Sequence, residues 1–93
     1  MTKFVVKKDG TKELFDAGKI ERAVRAAAQA VDFSEERIQE LIKSVLIKVF
    51  ESTHDSEEIS VVEIKRIVLG ELDIIEPSVS ASWREYDRSK GEK

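Results

Sequence analysis

Cysteine is absent from the sequence and histidine occurs once. The first absence excludes a disulfide framework, a thiolate zinc site, an iron–sulfur cluster and cysteine nucleophilic catalysis. The second removes most of the remaining metal and triad chemistry, and His54, set between Thr53 and Asp55 in a polar stretch, reads as an exposed side chain outside any ligand set. The few glycines build no phosphate loop closing on Lys-Ser or Lys-Thr, so that route to nucleotide chemistry is missing too. No apolar run approaches the roughly 18 residues of a membrane span, and no signal-peptide core follows Met1, so a cytoplasmic protein without membrane attachment is expected. Charge of one sign is in short supply as well. The net value is −3, which disfavours a generic polyanion binder and, with no reader motif in sight, nucleic acid as a partner. That average hides an asymmetry: up to Ala30 seven basic residues stand against four acidic ones, whereas the remainder has nine against fifteen.

The chain has length and apolar content for one core: 93 residues, 41% of them hydrophobic, fit a single domain and leave no room for a second. Phe4-Val5-Val6 is a short β-prone run, and Asp9-Gly10 before Thr11 to Phe15 predicts a β-hairpin closed by a primed two-residue turn. Asp16 is placed as an N-cap, followed at helical spacing by Ile20, Ala23, Val24, Ala27 and Val31. The alanines at 26, 27, 28 and 30 keep this helix thin, and Asp32-Phe33 forms the connection. Ser34 with Glu35-Glu36 caps a second helix carrying Ile38, Leu41, Ile42, Val45, Leu46, Val49 and Phe50 to about Glu51, the expected centre of the core. Ile59 is a short extended piece; Ser60 and Glu63 form a capping box for a third helix through Ile64, Ile67, Val68 and Leu72. Pro77 suits the first turn of a fourth, with Val79, Trp83 and Tyr86, before a polar tail over 89–93.

Val5-Val6-Lys7-Lys8-Asp9-Gly10, then Glu13, Phe15-Asp16 and Lys19-Ile20, resembles in order and spacing the opening signature of the ATP-cone family: a valine, two basic residues and Asp-Gly before a Glu, a Phe-Asp pair and Lys-Ile. Weaker similarity runs over the rest, through Glu63-Ile64 at the head of a helix to the aromatics Trp83 and Tyr86. The resemblance implies an α+β fold, a small four-helix bundle (about residues 16–90) capped by a β-hairpin or short β-sheet (about 3–15), forming one domain over 1–93. It further implies ATP or dATP as effector between lid and bundle, with Mg2+ as an optional companion. Lys7 and Lys8 are then assigned to phosphate or nearby contacts, Lys19 to the floor and Val5 to the base. Where the family has a threonine and, one turn on, a glutamine or histidine, this chain has Val61 and Lys65, with Ser60 the nearest hydroxyl. Lys8 stands where arginine is common, and Tyr86-Asp87-Arg88 replaces a Tyr-Arg pair, with Arg88 as the substitute cation.

The chemistry of the same residues agrees in kind. A triphosphate is a multiple anion, and lysines on a hairpin and at a helix start can converge on it as charge-assisted donors. Glu13 and Asp16 are acceptors able to take the adenine N6 amine, a group guanine lacks at the corresponding carbon. The same residues also read as a solvated strand face for Lys7 and Lys8 and a plain N-cap for Asp16. No catalytic residue and no metal site is expected. Two functions of different class follow. One is a regulatory module resembling the activity-control domain of ribonucleotide reductase, with a reductase catalytic subunit or self-association as its partner. The other is a degenerate cone serving as a small helical interaction module without nucleotide.

Overall fold

The computed structural model describes residues 2–89, so Met1 and all of the expected polar tail except Ser89 lie outside the described residues. In chain order the elements are β1 (Phe4–Val6), β2 (Lys12–Leu14), α1 (Ala17–Gln29), α2 (Glu35–Thr53), β3 (Glu58–Ser60), α3 (Val61–Ile75) and α4 (Pro77–Ser89). This is the expected α+β architecture, four helices and a small sheet. Each helix starts where its cap residue dictates. The Asp16 carboxylate accepts from the Gly18 N–H at 2.9 Å, Ser34 Oγ from Arg37 at 3.2 Å and Ser60 Oγ from Glu63 at 3.0 Å, satisfying donors that no earlier helical turn can reach. Pro77, which has no N–H to satisfy, opens α4. The box at α3 is half made, because the Glu63 carboxylate turns to Arg66. α1 ends in a Schellman arrangement, with Phe33 donating to the Ala28 carbonyl (3.2 Å), Asp32 donating to Gln29 (3.0 Å) and Asp32 left-handed at φ 61°.

The core is built from one face of each helix. Ile38, Leu41, Ile42, Val45 and Val49 of α2 meet Ile20, Val24, Ala27 and Ala28 of α1, Ile64, Ile67, Val68 and Leu72 of α3, and Val79 of α4. Phe50 departs from the expected core set. It is about half exposed and packs edge-to-face with Phe15, ring centroids 6.0 Å apart. Tyr86 is likewise mostly exposed, while Trp83 packs against the core.

The sheet order is β2-β1-β3, with β2 antiparallel and β3 parallel to β1. Thus the extended piece at Ile59 completes a three-stranded sheet, and β1 is its central strand. The expected primed two-residue turn is not formed. Lys7 donates to the Thr11 carbonyl (2.8 Å), Gly10 donates to the Lys7 carbonyl (2.9 Å), and only Gly10 of the loop is left-handed, at φ 92°. This is a three-residue loop with a glycine bulge, and Asp9 does not need the positive φ that a type I′ turn would impose on it. Instead its carboxylate accepts from the Thr11 N–H and hydroxyl at 3.0 and 2.7 Å.

Candidate functional site

Strand alternation decides which side chains face the helices. Val5, Glu13 and Ile59 are directly paired across the sheet, so all three point to one side. Ile59 is buried and Val5 packs on the core, which places Glu13 on the helix side too, beside a cavity of about 540 Å³. That volume lies within the roughly 300–1,000 Å³ of small-molecule sites. The floor is apolar: Val5 from the sheet, Ile20 and Ala23 from α1, Ile64 and Val68 from α3 and Trp83 from α4. Around it stand Lys7, which closes the hairpin loop, Lys8 within that loop, Lys19 of α1 and Lys65 of α3, against the carboxylates of Glu13 and Asp16. In a protein of net charge −3, this lining is locally positive.

Those charges are already organised. Glu13 bridges two lysines, with Lys19 Nζ 3.0 Å from Oε1 and Lys7 Nζ 3.1 Å from Oε2. The Lys19 hydrogen bond, then that of Lys7, holds the Glu13 carboxyl below its ordinary range. Lys19 lies in the first turn of α1, which has no acidic residue, and the helix dipole disfavours a cation there. The same dipole favours an anion, and the first turns of both α1 and α3 border the cavity. Lys65 Nζ is held 2.5 Å from Asp87 Oδ2 on α4. Lys8 makes no ion pair among the described residues. Asp16 commits Oδ1 to capping, and its second oxygen has no protein partner among the described residues.

Six of the eight residues expected at a site therefore converge: Val5, Lys7, Lys8, Glu13, Asp16 and Lys19 all line the cavity. Ser60 and Arg88 do not. Ser60 is the last residue of β3 and the cap of α3 at once, so its hydroxyl is committed to the Glu63 N–H. Arg88 is exposed in the last turn of α4 and pairs with Glu85 at 3.1 Å, a position the helix dipole favours. Glu13, read as an acceptor for a base, spends both oxygens on lysines. The cavity also takes in residues the sequence reading named but did not assign to a site, Lys65, Trp83 and Phe15, and two it did not single out, Leu14 and Val62. A signal for α3 was present: 61, 64, 65 and 68 follow the i, i+3, i+4, i+7 rule for one helix face. Among the described residues no cluster of His, Asp and Glu could hold a metal ion, and no helix is long and apolar enough to cross a membrane.

A central hairpin strand, two helix starts and a cation-rimmed apolar cavity between them define a small ligand-binding domain. The family model described as the ATP cone domain matches residues 3–91. The chain belongs to that family, whose members bind adenine nucleotides as effectors in nucleotide-binding regulatory modules that are not themselves catalytic. No curated protein is similar enough to the sequence to count as a match.

Proposed function

We propose that this chain binds ATP or dATP in the cavity between sheet and helices and thereby regulates a ribonucleotide reductase catalytic subunit, directly or through self-association. The observation that carries the reading is the pairing of an apolar floor with a positive rim in one cavity of about 540 Å³. Val5, Ile20, Ala23 and Trp83 offer the flat apolar surface a purine needs, while Lys7, Lys8 and Lys19 offer donors to phosphate. The triphosphate brings its own Mg2+. The second oxygen of Asp16 accepts the adenine N6 amine, whereas the guanine carbonyl at the same place would meet a carboxylate. A module without catalytic groups regulates only by binding its ligand with different free energies in two states.

The test is a thermal scan with ATP, dATP and GTP. A ligand at a hundred times its dissociation constant stabilises the fold by about 2.7 kcal/mol. At about 4 to 8 °C per kcal/mol for a domain of this size, ATP and dATP should raise the midpoint by roughly 10 to 20 °C, and GTP much less. No shift with any of the three at millimolar concentration would overturn the reading and leave the helical interaction module.

A further inference from the structure

A second cavity, about 730 Å³, lies between α1 and α4, floored by Ala23, Ala26, Ala27 and Ala30 and walled by Trp83, Tyr86 and Asp87. It shares Ala23 and Trp83 with the first cavity. One ion pair also joins them: Lys65 lines the first, Asp87 lines the second, and their charged atoms are 2.5 Å apart. We propose that Lys65 and Asp87 form an exchange pair, in which nucleotide phosphate takes Lys65 from Asp87, so that Asp87 sets the affinity of the first cavity and its release unlatches α4 from α3 beside the second. The inference rests on the nucleotide reading above.

The order of strengths supports the exchange. Lys65 and Asp87 are 46% and 35% exposed, and an exposed ion pair is worth about two- to fivefold in an equilibrium. A charge-assisted hydrogen bond to phosphate in a partly enclosed cavity is worth about tenfold or more. Lys65 therefore gains by transferring, and the lysine stem, anchored on the face of α3 that also carries Val61, Ile64 and Val68, already borders the ligand space. The other cations there have no ion pair to α4: Lys7 and Lys19 share Glu13, which lines the same cavity. Asp87 is one helical turn beyond Trp83 on α4, so loss of its bond acts on the last turns of that helix, where no other described ion pair reaches α3. The Asp73–Arg84 pair ties α4 to α3 nearer its middle.

Calorimetric titration of ATP and AMP into the unaltered chain, Lys65→Gln and Asp87→Asn tests the proposal. Lys65→Gln should weaken ATP about tenfold and AMP far less, whereas Asp87→Asn should tighten ATP by about two- to fivefold. A gain of affinity cannot come from a damaged fold, and circular dichroism of both variants checks that the helices persist. If Lys65 only clamps the helices, both substitutions lower stability and neither separates ATP from AMP. Unchanged or weakened ATP binding by Asp87→Asn, with the unaltered chain binding normally, overturns the exchange and spares the nucleotide reading. Failure of ATP to bind the unaltered chain overturns both.

Discussion

Gly10 sets the geometry of the basic loop. At φ 92° it occupies backbone space closed to most side chains, and a Cβ built there meets nothing within 4 Å. Its substitution therefore tests conformation alone. Gly10→Ala should cost about 1 to 2 kcal/mol, the penalty of holding an L-residue left-handed, measured as a lower urea midpoint with unchanged slope. A neutral result would mean that the bulge relaxes to another turn. Glu13 illustrates what single residues disclose in sequence and what they do not. Its place at the cavity was what the family resemblance of Lys7, Glu13, Asp16 and Lys19 implied. Its role was not, because the two lysines that occupy it lie on different elements and meet only when β2 folds beside the start of α1. Lys65 escaped for the reverse reason: read against a family position it was a departure, and only the packing of α3 brings it to the cavity.

At the scale of elements, the helices were legible because their signals are local. Ser34, Asp16, Ser60 and Pro77 each mark a start within a few residues of the apolar stripe they precede. The parallel pairing of β1 with β3 was not, since it joins Val5 to Ile59 across the whole of α1 and α2 and no nearby residue specifies it. That pairing changes which part of the lid is free to move. β1 is held on both sides, and Lys3 and Phe4 donate to the Glu57 carbonyl at 2.8 and 3.0 Å. β2 is an edge strand with Leu14 74% exposed, tied on one flank only. Local opening is easiest where backbone bonds are exposed and apolar burial is small. ATP should accordingly raise amide protection most from Lys7 to Leu14 and little from Phe4 to Val6, read by hydrogen exchange with and without nucleotide. Equal protection gains throughout the sheet would argue for rigid docking of all three strands.

For the molecule as a whole, the perturbed carboxylates act in one direction. Hydrogen bonds from Arg84, then Ser80, hold the Asp73 carboxyl at about 2. Glu13 is lowered by Lys19 and Lys7, Glu35 by Arg25 and Gln39, Glu63 by Arg66, and Asp9 by the Thr11 hydroxyl. A carboxyl whose folded pKa lies below its unfolded one leaves the unfolded chain binding more protons in acid, so stability rises with pH there. These contributions are complete above the ordinary carboxylate range and are lost as pH falls through the folded values, for Asp73 between about 4 and about 2. Asp9, Glu35 and Asp73 are exposed and Glu13 and Glu63 partly so, so each contribution is small and screened by salt. Below that range the sixteen lysines and arginines are unopposed, and their repulsion lowers stability in the same sense. Asp73→Asn separates the two causes, because it removes one titrating group and leaves the repulsion nearly as it was. The urea midpoint of the unaltered chain should stay level from about pH 7 to 5 and fall steadily below about 4.5, while Asp73→Asn should start lower at neutral pH and fall less between pH 4 and 2. Parallel curves for the two proteins would assign the acid loss to general repulsion, and coincident ones would mean that the Asp73–Ser80–Arg84 network joining α3 to α4 adds no stability of its own.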